Sequence, residues 1–300
     1  SQWYYERALL DRSYESLLAV NPYNLAIDQP WVAQDWEIGT WVDPRDGATK
    51  SVVTYYLRKD AGWAAPQTGD FAGVFNAHDY AFTIWYIYAF DDCWVWDSTM
   101  DVHHIEIVDD YTVKVYFDDY SYWFTYAPTY PLLGPKDILI DLLCEPATAT
   151  FTTDDLVEVS PGYFEYQFTS DQVVQVISAT VDGTPLQEGV DFYIRAGYDV
   201  YCHNIFVNLT ALPAGATITI DYYRPIAEGA GGYYLGGNLG LDWTDTWYSL
   251  GPHYPVDIVN PGVGGVASLN KNPWFFLETP LMGEIDWRWW WDTPGGVPGP

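Results

Sequence analysis

Pro30-Trp31-Val32-Ala33-Gln34-Asp35-Trp36, Thr54-Tyr55-Tyr56-Leu57-Arg58, Asn76-Ala77-His78-Asp79-Tyr80 and Val108-Asp109-Asp110-Tyr111-Thr112-Val113 follow one another in that order. Trp36 to Val42 and Val52 to Arg58 are rich in β-formers and flank Asp43-Pro44-Arg45-Asp46-Gly47, whose Pro and Gly set up a turn, so a hairpin is predicted. Asn76 is a good helix N-cap with Asp79 three residues on, which predicts a largely buried helix over the aromatic run Tyr80 to Phe90. Ile105 to Val108 and Thr112 to Phe117 predict a second hairpin around Asp109-Asp110, and Asp137 to Cys144 a short helix closing an α+β domain. Upstream, Leu9, Leu10, Tyr14, Leu17 and Leu18 have helical spacing and Asn21-Pro22 is a stop, so a helix is expected over residues 3 to 20.

The same ordered segments resemble the first part of the peptide-type (family 5) extracellular solute-binding proteins that deliver ligands to ABC importers. In that family a Pro-Trp-Leu-Ala-x-x-Trp segment precedes a Tyr-x-Phe-x-Leu-Arg strand, a Thr-Ala-x-Asp-Val helix start and a Val-Asp-Asp-Tyr-Thr hairpin. The likeness runs from about residue 8 to the Pro-Lys element at Leu133-Gly134-Pro135-Lys136. Where the family has Trp-His-Asp-Gly this chain has Trp63-Ala64-Ala65-Pro66, and Asn76-Ala77 stands for Thr-Ala. The resemblance implies a solute-binding-protein-like lobe and ligand capture without catalysis. Family members are two-lobed clamshells longer than this chain, and no second lobe is found after residue 136.

Composition narrows the partners. Twelve Lys and Arg stand against 41 Asp and Glu, a formal charge of −29, so nucleic acid and anionic membrane surfaces are repelled at neutral pH. Sixteen Trp, 26 Tyr and 13 Phe give a surface suited to stacking on sugars, peptides or other subunits. The longest uncharged apolar run, Tyr80 to Phe90, falls short of the roughly 20 residues that span a bilayer. Cys93, Cys144 and Cys202 are far apart in sequence and fit either one bridge plus a free thiol or three buried thiols. The chain opens at Ser1 without a basic-apolar leader, which reads as a removed signal peptide or a piece of a longer precursor.

From about Phe151 the texture changes to short alternating strands, Tyr163 to Phe168, Val173 to Val181, Asp191 to Ile194, Ile205 to Leu209 and Thr217 to Tyr223, separated by Gly-containing turns. That spacing predicts an inserted immunoglobulin-like β-sandwich over 151–225 after a 1–150 solute-binding-protein-like domain. Residues 226–300 read as a Gly-, Trp- and Pro-rich segment. It opens on the glycine-rich connector 229–240, is expected to return in part to the first domain, and ends in a linker at 294–300. The fold class is therefore α+β and β-rich.

Few residues point to chemistry. His103 and His104 lie near Asp101 and Glu106, but adjacent strand residues face opposite ways, so no shared ion and no metal site is expected. Asp43, Arg45 and Asp46 before Gly47 look like a calcium loop interrupted by Arg45, so a solvated turn is expected. No hydrolase elbow, zinc-protease helix or phosphate loop is present, so neither an enzyme nor a cofactor is expected. Asn208-Leu209-Thr210 is a glycosylation sequon, meaningful for a chain outside the cell. Trp94 and Trp96, Trp123 within Tyr120 to Tyr126, and Trp287, Trp289 and Trp291 on one face of a strand are candidates for core, ligand stacking or subunit contact.

Two readings follow. One is a non-catalytic extracellular or cell-surface binding protein holding peptide or oligosaccharide. The other is a self-assembling subunit of an S-layer or filament, whose partners are copies of itself and whose acidic contacts tighten as carboxylates are neutralised.

Overall fold

The computed structural model describes residues 12–20, 27–89, 101–121, 129, 132–168, 172–197, 203–226, 241–259, 266–277 and 284–288. The chain opens with β1 (Leu18–Val20) and β2 (Ile27–Pro30), an antiparallel pair. The helix expected over 3 to 20 is therefore wrong where it can be seen: residues 12–13 form a turn and 18–20 a strand. Leu17 instead bonds Thr129 through its N–H and Ala33 through its carbonyl, so backbone pairing overrides the helical spacing of the leucines.

β3 (Ala33–Val42) and β4 (Thr49–Leu57) form the expected hairpin, and after β5 (Gly62–Ala64) and β6 (Phe71–Val74) comes α1 (Ala77–Tyr88). β7 (Val102–Asp109) and β8 (Thr112–Phe117) form the second hairpin and complete an antiparallel sheet of order β3-β4-β8-β7. Period-two alternation puts Val53, Tyr55 and Leu57 of β4 and Val113, Val115 and Phe117 of β8 into one core with Tyr80 and Ile84 of α1. α1 starts on a complete capping box in which Asn76 Oδ1 accepts from the N–H of His78 and Asp79. Asp79 also accepts from the N–H of Asn76 at 3.1 Å and Lys136 at 2.8 Å, and from the buried Trp63 indole at 3.1 Å. Burial pushes its carboxyl up to about 6, against the pull of those donors.

Helix α2 (Lys136–Leu143) packs on α1 and passes straight into β9 (Cys144–Thr152). β10 (Val157–Ser160), β11 (Tyr163–Gln167), β12 (Gln175–Val181), β13 (Thr184–Pro185), β14 (Phe192–Ala196), β15 (Asn204–Asn208) and β16 (Thr217–Pro225) follow. They make two antiparallel four-stranded sheets, β13-β12-β16-β9 and β10-β11-β15-β14. Phe151, Phe192, Phe206, Ile218, Ile220 and Tyr222 fill the space between them. The sandwich begins before residue 151, because β9 pairs along its whole length with β16, from Cys144↔Pro225 to Thr152↔Thr217. Cys144 is a buried free thiol, pushed up to about 12 by desolvation; Cys93 and Cys202 lie outside the described residues.

Past a short α3 (Trp243–Thr246), strands β17 (His253–Val259), β18 (Val266–Lys271) and β19 (Glu284–Arg288) form a third antiparallel sheet. This segment bonds the first domain: Ala64 and Ser249 exchange backbone hydrogen bonds, and Gln67 donates to Pro255. Among the described residues no helix is long and apolar enough to cross a membrane.

Two substitutions separate the cap from its wider network. Asn76→Ala is expected to cost about 1 kcal/mol, the usual worth of an N-cap. Asp79→Ala should cost about 3 kcal/mol, because it strands buried donors of three separate elements. Urea denaturation of both variants checks the difference; equal losses would mean that Asp79 only caps the helix.

Candidate functional site

Two places hold unusual chemistry. The first is a pocket of about 300 Å3 lined by Lys59, Asp60, Gly62, Phe71, Trp274 and Phe276, among others. Its aromatic wall is built on the turn after β18: buried Asn272 accepts from Trp274 N–H through Oδ1 and donates through Nδ2 to the carbonyls of Ser249 and Gly251. The Trp274 indole donates to Gly69 O at 2.9 Å, and Trp274 O accepts from Gly62 N. A Cβ on Gly62 would stand 3.0 Å from Trp274 Cβ and 3.1 Å from Phe71, so any side chain there would push both neighbours by a few tenths of an ångström. Phe71 and Trp274 are about half exposed and lie 4.9 Å apart, while Phe276 is wedged against Phe275 and Trp31. At the rim the Arg58 guanidinium covers Phe276 and forks onto Asp60 at 2.9 and 3.0 Å, holding that carboxyl below its usual range.

The second is a buried polar seam between the first sheet and the outer face of β10-β11-β15-β14. The register of β7 on β8 slips between Val102↔Phe117 and His104↔Tyr116, so His103 is an extra residue and the alternation of faces is lost. The sequence expectation that His103 and His104 face apart is thereby overturned: their Nδ1 atoms meet at 2.6 Å. Trp41 packs on both rings at 4.9 and 5.7 Å, and Tyr116 and Tyr193 stack on the two faces of His104 at 4.0 and 4.2 Å. Period two along β14 sends Phe192 and Ile194 into the sandwich core and Tyr193 and Arg195 into the seam. There Arg195 forks onto Glu165 at 2.8 and 2.7 Å, and the Tyr163 and Tyr193 hydroxyls meet at 2.8 Å.

The turn expected to be solvated is the other half of this seam. Asp43 is fully buried and receives Arg45 Nε at 2.9 Å, Arg45 Nη2 at 2.6 Å and Lys50 Nζ at 2.6 Å. Arg45 also pairs with Asp118, which Lys50 approaches at 3.5 Å. Burial pushes the Asp43 carboxyl up, but hydrogen bonds from Arg45 and Lys50 outweigh it and hold the group at about 2. Asp43, His103 and Asp118 bring one ligand atom each to within 4.8 Å of one another. An ion there would meet Arg45 and Lys50 on oxygens they already occupy, so the two cations fill the role of a metal and the cluster is a structural charge network.

Of the aromatic residues singled out in the sequence, Trp94, Trp96, Trp123, Trp289 and Trp291 lie outside the described residues, and Trp287 sits in β19 opposite Ala267. The sequence reading missed the pocket because Phe71 is far from the others in the chain; the run Asn272-Pro273-Trp274-Phe275-Phe276, a turn pair followed by three rings, was its one legible signal. Asn208 is buried in β15, and its Nδ2, where a glycan would attach, donates to Thr210 O at 2.6 Å.

Removing one partner from the seam's charge network is the direct test of its role. Arg45→Met is expected to destabilise by about 3–5 kcal/mol, since it leaves Asp43 and Asp118 short of a cation. Asp43 is held below its ordinary 3.8, so its contribution is present above that pH and disappears as pH falls toward 2. Urea midpoints at neutral and strongly acidic pH check both, and a loss under 1 kcal/mol would mark the network as energetically idle.

No protein-family model and no curated protein sequence matches the chain. Solved structures do. NikZ from Campylobacter jejuni in complex with Ni(L-His) aligns at 14% identity and TM-score 0.47 over 92% of this chain and 33% of its own. OppA from Burkholderia pseudomallei aligns at 14% and 0.38 over 89% and 34%, and the periplasmic binding protein DppA from Helicobacter pylori, in complex with peptide STSA, at 19% and 0.33 over 43% and 27%. This chain thus matches 34% or less of the length of each of these three structures. The chain is similar to the family 5 substrate-binding proteins of peptide and nickel ABC importers.

Proposed function

We propose that the chain is the solute-holding part of a non-catalytic extracellular binding protein, and that its ligand is a peptide or oligosaccharide laying one flat group on the exposed faces of Phe71 and Trp274. The observation that carries this reading is the pocket itself. Two rings in contact at 4.9 Å stay about half exposed, and Trp274 is fixed there by hydrogen bonds to Gly69 O, from Gly62 N and to the Asn272 side chain. Bonds that fix an aromatic wall before a ligand arrives reduce the ordering cost of binding. The ordered segments from Pro30 to Val113 supply the family context, and the paired sheets of 144–225 support reading the insertion as immunoglobulin-like.

Titration calorimetry and thermal shift against peptide and oligosaccharide pools test the reading. The expected result is heat and a raised Tm with one class, and at least a tenfold weaker affinity for Trp274→Ala, on the order of the 1.4 kcal/mol that one stacked ring contributes. The absence of both heat and stabilisation with every pool would overturn ligand capture.

β3 favours the second reading, self-assembly. It runs for ten residues at the edge of its sheet with most of its side chains exposed, Val42 at 62% and Ile38 at 41% among them. A long open edge is a template for another strand, and Asp35 and Glu37 repel a second copy until they are neutralised. Light scattering and negative-stain microscopy across about pH 7 to pH 3 should then show larger particles in acid, with high salt partly replacing acid. A particle that stays monomeric throughout would sink this reading.

A further inference from the structure

The seam is closed over two histidines that neither reading above uses. His104 belongs to both bodies at once, since one of its faces lies on Tyr116 of the first sheet and the other on Tyr193 of the sandwich. His103 and His104 share a 2.6 Å Nδ1–Nδ1 contact, which needs one nitrogen protonated and the other bare, so the arrangement exists only while at least one ring is neutral.

The groups facing the pair come from every element around it. β3 supplies Trp41, the β3–β4 turn Asp43 and Arg45, and β4 Lys50. From β8 and its end come Tyr116 and Asp118, and from β7 Glu106, which Lys114 and the Tyr116 hydroxyl already engage. The sandwich adds Tyr163, Glu165, Tyr193 and Arg195. Each of these carboxylates already faces a cation, and among the described residues of the seam the one buried carboxylate oxygen without a partner, Asp118 Oδ2, belongs to a group shared by Arg45 and Lys50. A charged histidine therefore arrives among three cations whose counter-charges are taken.

We infer that the seam is an acid-released joint: charging the histidine pair drives the sandwich off the first sheet and leaves the core of each body intact. Each body keeps a core of its own, one around Tyr55 and Trp63 and one around Phe192 and Phe206, while a third cluster of Phe82, Tyr86 and Leu139 with Val174 joins them on the α2–β9 side and acts as the pivot; of the described clusters they share, opening uncovers only the small Tyr88–Ala196 contact. The chain crosses between them at the α2–β9 junction and again where Ile226 N donates to Leu143 O, which makes this side the hinge. Opening also breaks two outlying ties, Gly197 N to the Tyr88 hydroxyl at 2.8 Å and Ser160 Oγ to Pro44 O at 2.5 Å. Burial first, then His104 and the cations Arg45, Arg195 and Lys50, hold His103 well below its ordinary range, and burial with Arg45 and Arg195 holds His104 at about 3 against the upward pull of Asp43. The open state thus takes up protons that the closed state refuses as pH falls from 6.5 to about 3, and closure weakens across that window.

Small-angle scattering of the full chain, with mass measured in parallel, tests this from about pH 7 to about pH 4. Extrapolated to infinite dilution, where association is absent and the mass is that of the monomer, the radius of gyration is expected to rise with unchanged far-UV circular dichroism, while His103→Asn/His104→Phe stays compact. His104→Phe alone, which keeps the ring stack, serves if the double variant does not fold, and should shift the midpoint downward. In parallel, histidine Cε1–H resonances should place both groups well under the usual 6.5. An unchanged radius at the acid end, the same expansion in the variants, or both histidines titrating near their ordinary value would each overturn the joint.

Discussion

The fully buried Asp43 carboxylate is the constraint around which the two bodies meet. A carboxylate in that position is tolerable only with opposite charge in contact, and it has Arg45 and Lys50 on it, with Asp118 balancing the second cation. The chain has only 12 Lys and Arg against 41 acids, yet three of the twelve, Arg45, Lys50 and Arg195, lie in this seam. A cation on the surface of so acidic a protein would be screened and worth little. Inside the seam each one has a fixed partner and a low-dielectric surround, so its position specifies how the sandwich docks.

That charge arrangement explains local features that look odd by themselves. The bulge at His103 turns both imidazoles toward the same side, where the sandwich covers them, and Trp41, Tyr116 and Tyr193 supply flat walls. β15 is buried along its whole length because one face lies in the sandwich core at Phe206 and the other, with Ile205 and Val207, lies under Tyr163 and Tyr193. A strand buried on both faces reads as a continuous apolar run, and Ile205-Phe206-Val207 is such a run.

Local chemistry was readable where sequence neighbours decide the structure. The Asp43–Gly47 turn, the Asn76–Asp79 capping box and the Asp109–Asp110 hairpin each depend on residues within a few positions of one another, and each formed where the pattern put it. The N-terminal leucines misled because a strand partner at Ile27–Pro30 outweighs helical spacing. The histidine pair misled for a subtler reason: period two holds only for an unbroken ladder, and a bulge is set by the opposing strand, which no spacing within β7 reveals. Likewise nothing in Asp43-Pro44-Arg45-Asp46-Gly47 says that its first carboxylate is buried, because the residues that bury it come from Lys50 and Asp118. The pocket joins Phe71 to Trp274 across most of the chain, a contact fixed by Asn272 and Gly69 and not by proximity in sequence.

The pocket and the seam divide the molecule's aromatic residues by the company they keep. In the seam the rings are locked by charge: Trp41 spans to Phe117 O, Tyr116 to Glu106 and Tyr193 to Tyr163, so each polar end has a partner and each face a neighbour. In the pocket Trp274 is tied at its indole nitrogen and at both ends of its peptide unit, while Phe71 carries no polar end at all. Their outer faces are left for something else to cover. Rings whose edges are all satisfied rigidify an interface; rings whose faces are open offer one. The same composition thus serves two ends: Tyr116 and Tyr193 cover both faces of His104, whereas Trp274 meets Phe71 at a tilt and stays 40% exposed.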